Sequence, residues 1–292
     1  MSKDLVGNLL SLLELEQIEV NLFRGANVDT GQVRVFGGQV IAQSLMAASR
    51  TVDDRECHSL HGYFLRPGNP RLPILFEVDR IRDGKSFTTR RVVAIQNGEA
   101  IFNLACSYQV AEQGLEHQLK APDVPGPEDC LSEEEMFAAT MGTGSEMPEP
   151  IRRMMQDRPI EMRRAEPFSF ANPVKRPPFQ HVWFRTRGSL AGVDQKIQQA
   201  ILAYASDMGI LSTGTLPHGK SFLNGLMTAS LDHAMWFHAP VNCEEWLLFA
   251  QESPAAAGSR GFNRGYMYNQ RGELIASVSQ EGLMREVQQT GS

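Results

Sequence analysis

The sequence predicts a duplicated α+β fold, in which a helix followed by antiparallel strands occurs twice along 292 residues. Three observations carry this prediction. Val40 to Arg50 and Gln195 to Met208 both repeat apolar residues at helical spacing, and they stand far apart in the chain. Each is followed by strand-length apolar runs divided by turn residues. Setting Gly98 on Gly272 then aligns Gly98-Glu99 with Gly272-Glu273, Ile101 with Ile275, and Arg90 with Arg264. Residues 1–111 read as the first unit, 112–176 as a linker and 177–292 as the second unit.

Taken in order, Leu5, Leu9, Leu12 and Leu13 mark a packing helix, and Asn27 to Arg34 is a polar connection. Phe36-Gly37-Gly38-Gln39 opens the next helix, whose apolar face is Val40, Ile41, Leu45 and Ala48. Ala42, Ser44, Ala47 and Ala48 let that helix approach a sheet closely, and it carries no acid between Gly37 and Ser49. Its glycine pair reads either as a turn before a buried helix or as free backbone N–H groups for an anion. His58 to Pro67, Leu72 to Ile81, Phe87 to Gln96 and Ala100 to Gln109 read as strands, with turns at Arg82 to Lys85 and Asn97-Gly98. His58 and His61 face opposite sides of a strand and cannot chelate one metal, and adjacent Cys57 and His58 diverge in the same way.

The linker runs through Pro125 to Asp129, a capping box from Ser132 to Glu135, and a Met-rich stretch reaching Pro148 to Pro150. After it, Ile197, Ala200, Ile201 and Tyr204 form one helical face. Leu226 to Phe237, Trp246 to Glu252, Gly261 to Tyr268 and Glu273 to Gln280 follow as strands.

Composition narrows the function. A net charge of −6 argues against a nucleic-acid binder while permitting a local cluster that holds an anionic small ligand. No apolar run is long enough to span a bilayer, the N-terminus makes a poor secretory signal, and the terminal Thr-Gly-Ser is not a receptor-read address. Four scattered cysteines without a C-x-x-C pair read as reduced thiols. The expectation is a cytoplasmic protein without membrane insertion and with no metal site.

The densest polar chemistry lies between Tyr204 and His238, where three readings compete. Gly214-x-x-x-x-Gly219-Lys220-Ser221 matches a phosphate loop, but it follows a helix-like segment instead of a strand, and Pro217 removes a backbone donor. Ser230, Asp232 and His233 invite a triad, yet no G-x-S-x-G elbow exists. On a strand Ser230 and Asp232 share one face while His233 points away, which makes Asp232-His233 a structural pair at a sheet edge or interface. Asp207, at the end of its helix, remains as a general base.

At this point the residues support a resemblance. VFGGQVIAQ (35–43), HSLHGYFLRPG (58–68), DGKSFTTRRVVAIQNGEAIF (83–102), YASDMGIL (204–211), LDHAMWFH (231–238) and Ser259-Arg260-Gly261-Phe262 resemble acyl-CoA thioesterase II, the TesB-like family of double hotdog thioesterases. The resemblance spans about residues 5–285 in the same order. It implies two helix-wrapped-by-sheet units, homo-oligomers (dimers or tetramers of double hotdogs), a place in fatty acid metabolism, and hydrolysis of fatty acyl-CoA without a cofactor. The family's water-holding Asp, Thr or Ser, and Gln fall on Asp207, Ser230 and Gln280. A thioester is electrophilic and its thiolate leaves readily, since a thiol pKa is about 8.5. Positioning and deprotonating a water, and stabilising an oxyanion, is the chemistry left over. Gly37, Gly38 and Gln39 are candidate oxyanion donors. Arg66, Lys85, Arg90, Arg91, Arg260 and Arg264 are candidate contacts to CoA phosphates, each also readable as a solvated charge. In the first half Cys106 stands opposite Gln280 and nothing matches Asp207, so one half reads as catalytic. Two alternatives stay open: another hotdog acyl-thioester enzyme such as a hydratase or dehydratase, and a non-catalytic acyl-CoA binder.

Overall fold

The computed structural model describes residues 4–27, 33–141, 152, 155, 157–169, 173–221 and 223–287. Helix α1 (Leu5–Leu13) opens on Asp4, whose carboxylate accepts the Gly7 N–H at 2.8 Å, and it buries Val6, Leu9, Leu12 and Leu13. Two short strands follow, β1 (Glu16–Glu19) and β2 (Leu22–Gly25). Sequence periodicity did not reveal them, because β1 is exposed at all four positions and has no apolar face to read. Of the polar connection expected from Asn27 to Arg34, residues 28–32 lie outside the described residues, as do residues 142–150 of the Met-rich stretch reaching Pro148 to Pro150.

Helix α2 (Gly37–Ser49) is buried around nearly its whole circumference. The first sheet is β3 (Glu56–Phe64), β4 (Ile74–Asp83), β5 (Phe87–Gln96) and β6 (Glu99–Gln109), ordered β2-β4-β5-β6-β3. Asn97 (φ 51°) and Gly98 (φ 77°) both take the left-handed region, which makes a tight hairpin whose twist suits its strands.

The second unit repeats the plan. It has α4 (Gln195–Ser206), the one-turn α5 (Ile210–Thr213), β9 (Phe179–Thr186), β10 (Leu226–Ser230), β11 (Asp232–Phe237), β12 (Leu247–Ala257), β13 (Arg260–Asn269) and β14 (Leu274–Glu286). Antiparallel pairing of β3 with β11, from Tyr63 opposite Asp232 to Ser59 opposite Trp236, joins both units into one 14-stranded sheet.

Segment 112–176 is more than a connection. Its capping box forms: the Ser132 N–H reaches Glu135 Oε2 at 2.8 Å and the Glu135 N–H reaches Ser132 Oγ at 3.2 Å. The segment contributes β7 (Leu131–Ser132), α3 (Glu133–Met141) and β8 (Ile160–Arg164), and β8 extends the second sheet beside β9. Upstream, Ala121 and Val124 pack over Trp183, Trp246, Leu248 and Tyr268, and Trp183 Nε1–H donates to Pro125 O at 2.8 Å. Those side chains form an apolar second face on the sheet, which needs a cover.

The two units meet helix against helix. Ala42, Ala47 and Ala48 are fully buried on α2, and Ala200 and Ala203 on α4, so the backbones approach closely. The pair is antiparallel: the start of α2 lies at Tyr204 near the end of α4, while Lys196 at the start of α4 donates to Val52 O at 2.6 Å just beyond the end of α2. Each helix therefore begins where the other ends.

Sheet register corrects one detail of the duplication. Arg90 stands opposite Cys106, whereas Asn263 stands opposite Gln280. The connection between Met267 and Ala276 is one residue longer than that between Ala94 and Phe102, so Arg90 matches Asn263, not Arg264.

Candidate active site

Asp207 caps the C-terminus of α4, and Gly209 (φ 82°) then turns the chain away. The end of a helix carries partial negative charge, so an ionised Asp207 is disfavoured there. The start of α2 offsets this. A Cβ on Gly37 would stand 2.7 Å from Asp207 Oδ2, and one on Gly38 would stand 2.3 Å from Tyr204 O. Only glycine lets a helix N-terminus come this near the carboxylate.

The strands bring two more groups. Ser230, the last residue of β10, donates its hydroxyl to Asp207 Oδ1 at 3.3 Å. Gln280 of β14 donates its Nε2–H to Ser230 Oγ at 2.8 Å. Burial pushes the Asp207 carboxyl up to about 6; Gln280, Ser230, the Gly38 N–H and the Arg34 charge hold it from rising further. Asp207 and Ser230 keep part of their surface open, while Gln280 is 1% exposed. A desolvated carboxylate with one open face can accept a proton near neutral pH.

The strand expected from Leu226 to Phe237 is broken at Leu231. Ser230 lies opposite Gly282 while Ala234 lies opposite Ser279, a slip of one residue against β14. Leu231 spends its backbone on both neighbours, accepting from Phe64 N–H and donating to Glu281 O, each at 2.9 Å. The slip changes strand parity, so His233 faces the interior with Ser230 instead of turning away. This corrects its assignment to a sheet edge or interface: it is 1% exposed, with Nδ1 at 2.5 Å from Gln280 Oε1 and Nε2 at 2.8 Å from Ser206 Oγ. Asp232 accepts the Glu281 N–H at 2.6 Å, and no Ser-His-Asp triad forms.

The other candidates divide. Gly37 and Gly38 lie at Asp207. Gln39 does not serve as a donor, because its N–H bonds Phe36 O at 3.2 Å and its side chain bonds Asn27 and Gln43. Arg90 is excluded as a phosphate contact. It is 1% exposed and donates inward to Thr51 Oγ1 at 2.8 Å, to Thr51 O at 3.0 Å and to Asp83 at 2.6 Å. Arg66, Arg91, Arg260 and Arg264 are exposed but paired with Glu99, Asp79, Glu281 and Glu252, and Lys85 is exposed. Arg34, read from the sequence only as the end of a polar connection, faces Asp207 electrostatically and donates to Thr228 O at 3.0 Å. The phosphate-loop match follows α5, holds a 3₁₀ turn at Leu216–His218, and pairs Lys220 with Glu286 at 2.6 Å, so no phosphate cradle exists.

In the first unit the matching positions are filled. Cys106 stands at the place of Gln280, and by register Leu60 stands at that of His233. Arg50, not an acid, caps α2. The buried Tyr108 ring occupies the space, with its Oη 2.9 Å from Ser49 Oγ.

Comparison with known proteins agrees with this geometry. Residues 26–109 match the family model described as acyl-CoA thioesterase N-terminal domain, and residues 156–283 match the model described as acyl-CoA thioesterase. The chain is 42% identical to acyl-CoA thioesterase 2 of Haemophilus influenzae over 97% of its own length and 98% of the relative's. It superposes on the crystal structure of acyl-CoA thioesterase II TesB2 from Mycobacterium marinum with a TM-score of 0.77 at 39% identity, covering 96% of this chain and 99% of that one. A protein of unknown function with a hot dog fold from Alicyclobacillus acidocaldarius superposes at 0.74 with 17% identity, over 95% and 98% of the two chains, and speaks for the fold alone. With both halves matched and the site residues gathered at one helix end, the chain belongs to the acyl-CoA thioesterase family.

Proposed function

We propose that this chain hydrolyses fatty acyl-CoA to the free acid and CoA with a water activated at Asp207. The carrying observation is the hydrogen-bonded cluster of Asp207, Ser230 and Gln280 beneath the start of α2. Asp207 takes a proton from the water as it attacks the thioester carbon, and Ser230 and Gln280 orient that water. The Gly37 backbone N–H, at the start of α2, is the donor for the oxygen on which charge develops, since the Gly38 N–H is held by Asp207. As the C–S bond breaks, the proton held by Asp207 passes to the departing thiolate, so water, thioester, acid and thiol balance. CoA arrives as part of the substrate and no cofactor takes part. A hydratase or dehydratase needs an acid and a base on either side of a C–C bond, and His233, the nearest imidazole, is committed to Ser206 and Gln280.

Arg34, Arg66 and Arg260 are the cations proposed to meet CoA phosphates, being exposed and, for Arg34, beside the site. A cytoplasmic setting suits the four free thiols, all buried. Assembly through the outer sheet face suits exposed Tyr63, Ile81 and Phe87 on the first unit, and light scattering reads the resulting mass. Thiol release from acyl-CoA of graded chain length, for wild type and Asp207→Asn, tests the reaction. Asn at 207 lowers kcat by about 1000-fold, within the usual range for a general base; wild-type rates in the variant remove Asp207 from the mechanism.

A further inference from the structure

We infer that His233 is a positioning residue: clamped by Ser206, its ring fixes the Gln280 amide so that the hydrogen-bond chain through Ser230 ends on the Asp207 carboxylate. The inference rests on reading Asp207 as the base.

The reason lies in the shape of an amide. Its C=O and NH₂ ends are nearly the same size, so packing around Gln280 cannot tell them apart; only hydrogen-bond partners can. Gln280 faces Ser230 Oγ at 2.8 Å, His233 Nδ1 at 2.5 Å and the Asp207 carboxylate. The hydroxyl can donate or accept, so it imposes no orientation. The imidazole does. Burial pushes His233 down to about 4, so it is neutral and carries one N–H.

Two proton arrangements satisfy the line Ser206, His233, Gln280, Ser230, Asp207. In the first, Ser206 Oγ–H donates to Nε2, Nδ1–H donates to Gln280 Oε1, Gln280 Nε2–H donates to Ser230, and Ser230 donates to Asp207. In the second every donor runs the other way, the amide is reversed, and Asp207 loses its hydroxyl donor. Ser206 can feed either state, since its Oγ is 2.8 Å from both Ala203 O and His233 Nε2. An ionised Asp207 only accepts, which selects the first arrangement. His233 transmits that choice to the amide and holds it between turnovers. Gln280 also reaches the Asp207 carboxylate, which favours the NH₂ end of the amide there, and His233 holds the opposite end at Oε1. In the first unit the matching pair is Leu60 and Cys106, which has no orientation to hold.

Three variants and one spectrum test this. His233→Leu installs the residue found at Leu60 and removes the orienting N–H. Its kcat falls about 100-fold, the scale of a misplaced group in a site, with KM little changed. The pH midpoint of kcat/KM, near the Asp207 value, moves up as the carboxylate loses its donor; Arg34 and Tyr204, the other titratable groups facing Asp207, are untouched. His233→Asn restores a donor where Nδ1 stood and recovers most of the rate. Ser206→Ala removes the clamp and falls between the two. Nitrogen-15 spectra of the wild-type ring show the proton on Nδ1. A folded His233→Leu protein with wild-type kcat and midpoint overturns the proposal, as does a folded His233→Asn that recovers nothing, or a ring protonated on Nε2. Should the Leu variant not fold, the Asn variant and the spectrum still decide. Loss of activity in Asp207→Asn beside an unaffected His233→Leu refutes His233 alone; an active Asp207→Asn refutes the base instead.

Discussion

The two units place nearly the same backbone around two helix ends and use them for opposite purposes. At the end of α4 the chain sets a half-open carboxylate against a glycine-only helix start, with polar side chains from two strands aimed at it. At the end of α2 it sets Arg50, fills the sheet face with Tyr108 and Arg90, and lets Lys196 cap the carbonyls. One end keeps a space and a charge in tension; the other closes both. Duplication therefore supplies the scaffold twice, while a handful of side chains decides which copy gathers a half-open polar cluster.

That contrast can be broken from either side. Among exchanges between the two units, the largest effect is expected from Gln280→Cys, which installs the first unit's residue. It leaves Ser230 and the His233 N–H without their partner, and kcat falls by about 100-fold or more, read by thiol release. Retained activity would show that the two copies differ for reasons other than this position.

Next comes stability. The Asp207 carboxyl titrates near 6 in the folded protein against an ordinary 3.8. The unfolded chain therefore ionises first, and folding weakens as pH rises from about 4 to 6, by roughly 1.4 kcal/mol per pH unit. That sums to at most about 3 kcal/mol, lowered toward about 2 kcal/mol by water at the open face. Asp207→Asn escapes this loss. Its denaturation midpoint should exceed wild type at pH 8, with the gap closing below pH 4; equal midpoints at pH 8 would mean the carboxylate is well solvated.

The smallest effect belongs to the closed end. Tyr108→Phe removes the bond to Ser49 and is expected to destabilise by about 1 kcal/mol while leaving hydrolysis unchanged. A change in kcat there would show that the first unit's end reaches the reaction.

The opening contrast also explains what could be read early. Helix faces, hairpin turns and the repeat are local or periodic, so Asn97-Gly98 and the capping box at Ser132 appear in the structure as read. Asp207, Ser230 and Gln280 were named as candidates through the resemblance of their surrounding blocks, and the fold brings the three side chains together. His233 was not, because its direction depends on a one-residue slip at Leu231, and strand parity is settled by pairing with β14. Arg90 looked like a surface charge until its strand placed it on the inner face, opposite Cys106.

The sequence by itself determined that two helix-and-strand units exist, where their main helices and most of their strands lie, and which residue types stand at the end of α4. Only the tertiary structure decided that the start of α2 meets that end, that Lys196 covers its counterpart, and that His233 turns inward to Gln280. Propensity and periodicity act over a few residues. The meeting of helix ends across two units is set by close packing of small side chains more than a hundred residues apart in the chain, which no local pattern records.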